Sequence, residues 1–215
     1  MAAAVGVAPP LLALADSDAR PAPLRLAPAI PGPLRHTSAD GHELHFAVNH
    51  LAGFLLTVRL LPPLEQSAPA RVVFVASLSA APVDFDDPQI TRGYSGSRAY
   101  GQSKLAQVAT ALELADRLDP RRVTVNNLHP ATLMPTKMVA AANANAVDTL
   151  QTGVDATARL ILEPALREVS GRFYDRQQET TPPRWALDRN NRRRLFDLSL
   201  ELTWAEWPPR EARIS

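Results

Sequence analysis

Arg98-Ala99-Tyr100-Gly101-Gln102-Ser103-Lys104-Leu105-Ala106 is the stretch on which the reading of this chain turns. Tyr100 and Lys104 stand four apart at the head of a long helical pattern, which puts phenol and ammonium on one helix face. A cation beside a phenol favours the phenolate and draws its pKa down from about 10. Bringing it near 7 takes about 4 kcal/mol of differential stabilisation, at about 1.36 kcal/mol per unit. A tyrosine so tuned is suited to proton transfer. Chance supplies such a pair in roughly every second chain of this size, and an ordinary helix with an exposed lysine looks the same. The surrounding sequence has to decide.

Downstream of the pair, Leu105, Val108, Leu112, Ala115 and Leu118 form an apolar stripe, which predicts a helix from about Ser97 to Leu118. On one side of it Arg71-Val-Val-Phe-Val-Ala-Ser-Leu78 is a continuous valine-rich run, the pattern of a strand buried on both faces. On the other side Val123-Thr-Val-Asn-Asn-Leu128 predicts a second buried strand, closed by His129-Pro130. Strand, helix, strand is a parallel crossover unit. Ser77 then falls at the C-terminal end of the first strand, the edge where open α/β sheets bind ligands. The connection from Ala81 to Gly96 is long enough to expect a functional loop. Its Asp84, Asp86 and Asp87 lack the glycine and distal glutamate of a calcium loop and read as loop and cap acids.

Upstream, Thr37 to Glu43 carries helix-start chemistry. Leu44, Phe46, Val48, Leu51, Phe54, Leu55, Val58 and Leu61 then predict a helix that Pro62-Pro63 stops. Asn49 lies in mid-helix, where asparagine is a poor former. It reads either as a solvent-facing polar residue or as an amide that bonds backbone in a bent helix and positions a water. His42 and His45 are three apart, where a zinc-protease helix needs four, and no third ligand is evident. With His50 they are read as solvated helix histidines, and no metal site is expected.

The chain has 215 residues, a formal net charge of +1 and no cysteine. That length suits one large α/β domain. Balanced charge implies no broad attraction to nucleic acid or membrane. The absence of cysteine excludes disulfides, thiolate metal sites and cysteine nucleophiles, and suits a cytoplasmic protein. No apolar run is read as long enough to span a bilayer. Twenty prolines, many near the ends, predict irregular backbone there. Residues 1–35 are read as an irregular Ala/Pro-rich segment with a short strand around Leu24 to Ile30, and 36–215 as the main domain. None of the nine glycines has the spacing of a dinucleotide-binding or Walker loop.

The C-terminal third predicts helix from Met138 to Leu150 and from Val154 to Leu162, then a strand at Gly171 to Tyr174. A polar irregular stretch from Asp175 follows, and a last amphipathic helix runs from Asp188 to Leu202. Arg192, Arg193 and Arg194 have acids nearby and read as a solvated face rather than a nucleic-acid patch. Trp204 and Trp207 are expected to cover a core edge or a partner surface.

Four segments in order resemble the short-chain dehydrogenase/reductase family, in particular its retinol-dehydrogenase-like branch. They are Asn49 in Ala-Val-Asn-His-Leu-Ala-Gly-Phe, Ser77 after Val-Val-Phe-Val-Ala, Tyr100-Gly-Gln-Ser-Lys104, and Val-Thr-Val-Asn-Asn-Leu-His-Pro-Ala. The likeness covers about Ser38 to Tyr174. It implies a Rossmann-like doubly wound parallel sheet and an NAD(P)-dependent oxidoreductase interconverting an alcohol and a carbonyl. By resemblance Tyr100 is the general acid/base, Lys104 lowers its pKa and holds the nicotinamide ribose, Ser77 donates to the substrate oxygen, and Asn49 supports a relay water. Pro130-Ala131 stands where the family has Pro-Gly, and Thr136 where a threonine touches the cofactor. The segment from Pro130 through Ala146 would be the lid over the substrate. The helices of Asn49 and Tyr100 would pair with a second copy. The family's opening strand, Thr-Gly-x-x-x-Gly-x-Gly loop and helix have no counterpart here. The sheet is therefore expected to be N-terminally truncated, lacking its first βαβ half and the cradle for NAD or NADP. The alternative function is an inactive remnant or truncated gene product acting at most as a dimerising module.

Overall fold

The computed structural model describes residues 3–8, 11–15, 24–25, 34–136, 139–140 and 144–209. Its strands are β1 (Ala3–Ala8), β2 (Leu11–Ala15), β3 (Leu24–Arg25), β4 (Ala70–Val75), β5 (Val123–His129), β6 (Phe173–Asp175) and β7 (Gln178–Thr180). A π-helical segment (Phe46–Leu51) runs directly into α1 (Ala52–Gln66). The other helices are α2 (Gly96–Arg117), α3 (Leu150–Leu162), α4 (Arg184–Leu187) and α5 (Arg189–Thr203).

The centre of the sheet is the expected crossover unit. β4 pairs in parallel with β5 from Ala70–Val123 to Val75–Leu128, and β5 pairs in parallel with β6. The alternation of side chains along each strand divides the core into two layers. Val72, Phe74, Val123 and Val125 pack with Phe54, Val58, Leu61 and Leu114 of α1 and α2. Val73 and Leu128 point the other way, to Ala156 and Leu160 of α3 and to Tyr174. A continuous apolar strand needs helices on both faces, and it has them. The fold is an α/β Rossmann-like one.

The sheet order is β3-β1-β2-β4-β5-β6-β7. On the far side of β4 a parallel strand would complete a doubly wound sheet. Here β2, half of the β1–β2 hairpin, lies antiparallel to β4, from Leu11–Phe74 to Leu14–Arg71. The β4 edge beside the missing half is thus paired, and the segment expected to be irregular contains a hairpin. Of the strand expected at Leu24 to Ile30, Leu24 and Arg25 form β3, and the rest lies outside the described residues.

Several other expectations shift. The α1 helix does not stop at Pro62-Pro63 but carries both inside it to Gln66. Leu61 and Leu64 are 2% and 3% exposed, and their burial holds the chain helical where the prolines forfeit hydrogen bonds. The continuous helix Phe46–Gln66 is long and apolar enough, by length and composition, to cross a bilayer, which the sequence reading did not anticipate. In the fold it is a core helix, with 56% of its most apolar stretch buried. Of the two helices expected over 138–162, the second is α3, which starts at Leu150, where the Thr149 hydroxyl accepts from the Thr152 N–H; of the first, 144–149 are not helical and residues 138 and 141–143 lie outside the described residues. The earlier helical stretch is confined, among the described residues, to 139–140. The polar stretch after Asp175 forms β7, paired antiparallel to β6.

α5 lies across α1 and α2. Phe196, fully buried, meets Phe54 edge-on at 5.2 Å, and Arg117 of α2 sits 4.1 Å over its ring. Arg192 is no solvated arginine: it is 7% exposed and reaches Asp116 at 2.7 Å and Glu113 at 3.6 Å on α2. Trp207 covers a core edge at 5.2 Å from Phe196, whereas Trp204 is 89% exposed.

Candidate active site

β4 and β5 end side by side, and the side chains of interest gather at those ends. Ser77 follows the last residues of β4. The α2 helix begins at Ser95, whose hydroxyl accepts from the Arg98 N–H, and its first two turns bring Tyr100 and Lys104 back over the sheet edge. Gly101 lets this helix approach the loop after Ser77 closely: a Cβ there would meet the Ala81 nitrogen at 3.2 Å.

The Ser77 hydroxyl stands near enough to the Tyr100 phenol to favour its ionised form. Burial pushes the Tyr100 phenol above its ordinary value, and Ser77 opposes this only in part. This reverses the expectation that Lys104 draws the phenol down. The reason is geometric. The Lys104 ammonium donates to the Val75 carbonyl at 3.0 Å and stands 5.8 Å from the centre of the Tyr100 ring. Lys104 is 6% exposed, and burial takes its pKa from 10.5 to about 8.

Asn49 is 3% exposed and lies in the π-helical segment, so the solvent-facing reading fails. Its amide nitrogen donates to the Ser103 hydroxyl at 3.0 Å, and that hydroxyl donates to the Tyr100 carbonyl at 2.8 Å. The amide therefore reaches another side chain, and through it the first turns of α2. Ser103 was not singled out from sequence, although its place between Tyr100 and Lys104 is the signal that marks it.

Two of the three nearby histidines also differ from expectation. His45 and His50 are 4% and 1% exposed. Burial holds His50 neutral, down to about 3, and its Nε2 donates to the Ser199 hydroxyl at 2.8 Å, which itself donates to the Leu195 carbonyl at 2.7 Å. Among the described residues no group of acids and histidines is arranged to hold a metal.

On the β5 side, Pro130 and Ala131 are buried at the strand's end. Ala131 has no positive φ, so a side chain is accommodated where glycine was expected; the left-handed position is Leu133, at φ 46°. Thr136 is engaged within its own segment, its hydroxyl accepting from the Val139 N–H at 3.4 Å. It is not brought to Tyr100 or Lys104 by any hydrogen bond described. His129 was not expected here. Burial lowers its pKa, against the Asp175 and Asp148 charges and with those of Arg176 and Lys104. Its Nε2 meets the Thr132 hydroxyl at 2.9 Å. The Thr132 N–H donates to Asp148 at 2.6 Å, and Arg176 ion-pairs with Asp148 and donates its own N–H to the His129 carbonyl. Both ends of the 132–148 connection are thereby tied to the strand end.

A family model described as short chain dehydrogenase matches residues 28–147. Human retinol dehydrogenase 13 is 35% identical over 195 residues, covering 80% of this chain and 57% of that protein. Human retinol dehydrogenase 14 is 36% identical over 175 residues, covering 74% and 52%. An uncharacterized protein from Mycobacterium paratuberculosis shares the fold with a TM-score of 0.63 and 26% identity, over 81% of this chain and 64% of that one. The chain spans a little more than half the length of the curated relatives it matches.

Proposed function

Because the chain belongs to the short-chain dehydrogenase family, we propose that it is an oxidoreductase interconverting an alcohol and a carbonyl with NAD or NADP. The observation that carries this reading is the gathering of four separated residues around one strand edge: Ser77 near Tyr100, Lys104 on the Val75 carbonyl at the end of β4, and Asn49 linked to the same helix turn through Ser103.

The residues fit the nicotinamide end of such a cofactor. The buried Lys104 and half-buried Tyr100 would hold its ribose, with Pro130 and Ala131 beside it and Thr136 on the following segment. A nicotinamide supplies the hydride. What falls to the chain is to orient and to move one proton. Ser77 holds the substrate oxygen by hydrogen bond. Tyr100 gives its proton to that oxygen on reduction and takes one on oxidation. A phenol raised by burial keeps its proton at neutral pH, which suits the reductive direction. Lys104, lowered to about 8, remains largely charged at pH 7 and is poised to pass a proton.

The pyrophosphate end is another matter, since the sequence has no glycine-rich turn and β2 runs antiparallel where a parallel strand would lead into one. That observation favours a second reading, a chain that keeps the family's catalytic residues without turning over. Titration with NADH and NADPH, followed by cofactor fluorescence, separates the two. Binding that Lys104→Met weakens supports the oxidoreductase; no binding of either at millimolar levels excludes it. As to pairing with a second copy, α5 covers α1 and α2, and we propose that the chain does not dimerise through that face. We also propose a cytoplasmic setting, which the cysteine-free sequence suits.

A further inference from the structure

His45 lies one turn before Asn49 on the same helical stretch, and its ring meets that of Tyr100 edge to face, with centres 6.4 Å apart and planes at 83°. Its surroundings hold it in one orientation. The Glu43 carboxylate, 1% exposed, meets His45 Nδ1 at 2.9 Å, accepts from the Phe46 N–H at 2.8 Å, and accepts from the Tyr94 hydroxyl at 3.2 Å. The Glu43 N–H donates in turn to the Gln89 amide oxygen at 2.7 Å. Burial would raise the Glu43 carboxyl, but the bonds from His45 and Phe46 outweigh it, and the group sits below its ordinary value. It is therefore ionised at neutral pH and only accepts.

It follows that His45 Nδ1 carries a proton toward Glu43. The other nitrogen, Nε2, is buried without a hydrogen-bond partner. A carboxylate is thus spent on fixing the tautomer and plane of a ring whose contact with Tyr100 is packing and not a hydrogen bond. The same carboxylate, through Tyr94, holds the chain six residues before Tyr100.

We propose that His45, oriented by Glu43, is a positioning residue for Tyr100: its ring fixes the plane of the phenol and keeps water from that side of it. The inference rests on the reading of Tyr100 as the proton donor, and the test is independent of cofactor. The titratable groups near Tyr100 are Lys104 on its own helix, 5.8 Å from the ring centre, and His45 in ring contact, with Glu43 and Tyr94 meeting His45 in turn; Ser77 adds its hydroxyl.

The test uses the ligand-free chain in a Tyr94→Phe background, following tyrosinate absorbance against pH and assigning Tyr100 by its loss in Tyr100→Phe. His45→Gln keeps a side chain able to reach Glu43 but removes the ring, and is expected to let the Tyr100 midpoint fall back toward the ordinary phenol value of about 10. His45→Phe keeps a ring without the bond and is expected to leave the midpoint raised. A purely structural role would lower the unfolding temperature of both variants while leaving the Tyr100 midpoint in place. That result overturns the proposal, as does an equal fall in both variants. The titration reads the same whether or not the chain binds NADH or NADPH, so failure of the oxidoreductase reading is seen separately.

Discussion

Replacing Lys104 by methionine removes a charge that the fold holds out of water, and the consequences for stability follow from its burial. The unfolded chain keeps the lysine proton up to about 10.5, while the folded chain gives it up at about 8. The difference corresponds to about 3 kcal/mol, at about 1.36 kcal/mol per unit. The sign is that of a cation with a depressed folded-state pKa. Above 10.5 both states are neutral and nothing is lost. As pH falls from 10.5 to 8 the unfolded state binds the proton first, so stability declines; below 8 the full cost remains. At pH 7 the methionine variant escapes that cost. It forfeits the bond to the Val75 carbonyl, worth about 1–3 kcal/mol if the oxygen is left unpaired. The variant should therefore be as stable as the parent or about 2 kcal/mol more stable at pH 7. Urea unfolding from pH 7.5 to 10.5 reads the rest. With a slope of about 2 kcal/mol per molar, the parent should gain about 1.5 M in midpoint relative to the variant across that range. A parent-to-variant difference that stays flat with pH would refute the burial argument and place Lys104 in contact with water.

Three further outcomes are expected. His50, held neutral down to about 3 against 6.5 when unfolded, should cost the fold up to about 5 kcal/mol as pH falls from 6.5 to 3; His50→Leu should flatten the acid limb of urea-unfolding curves, since Ser199 keeps its bond to the Leu195 carbonyl. Arg176 sits at φ 54° while bonded to Asp148 and the His129 carbonyl, so Arg176→Gly should lose about 1 kcal/mol less than Arg176→Ala by thermal unfolding; an equal loss would count against backbone strain there. Phe196→Ala should cost about 3–5 kcal/mol by the same measurement, and a loss under about 1 kcal/mol would count against the packing of α5 on α1 and α2.

The parts of this protein that were legible in the sequence are those whose determinants lie close together along the chain. Tyr100 and Lys104 are on one helix face because of a four-residue spacing. Val72-Val-Phe-Val75, read as buried on both faces from its apolar run alone, is packed on both in the fold. Ser77 followed from its place after that run. What could not be read depended on partners far off in sequence. Asn49 is buried because Ser103, 54 residues on, takes its amide proton. Arg192 looked solvated because Asp116, its partner, is 76 residues back. His50 finds Ser199 across 149 residues. Local composition gave the opposite answer for Arg192 and His50 and left Asn49 open between a solvated and an engaged amide, since such residues are polar until the partner is known.

The same logic explains the error over Tyr100. Spacing placed a cation on the same helix face as the phenol, and the inference to a depressed pKa assumed that the ammonium would turn toward it. The Val75 carbonyl at the end of β4 competes for that ammonium and, at 3.0 Å, holds it. Two residues of α2 are therefore governed by different neighbours: Tyr100 by Ser77 after β4, with the His45 ring against it, and Lys104 by the β4 carbonyl. In the proposed reaction, proton passage through Lys104 would draw on an ammonium that this carbonyl already holds and that burial has lowered to about 8. A side chain so placed costs the fold stability at neutral pH and contributes no strong pairing in return. That cost, together with the bond at 3.0 Å to the end of β4, makes Lys104 a functional-site candidate on firmer physical ground than the four-residue spacing gives.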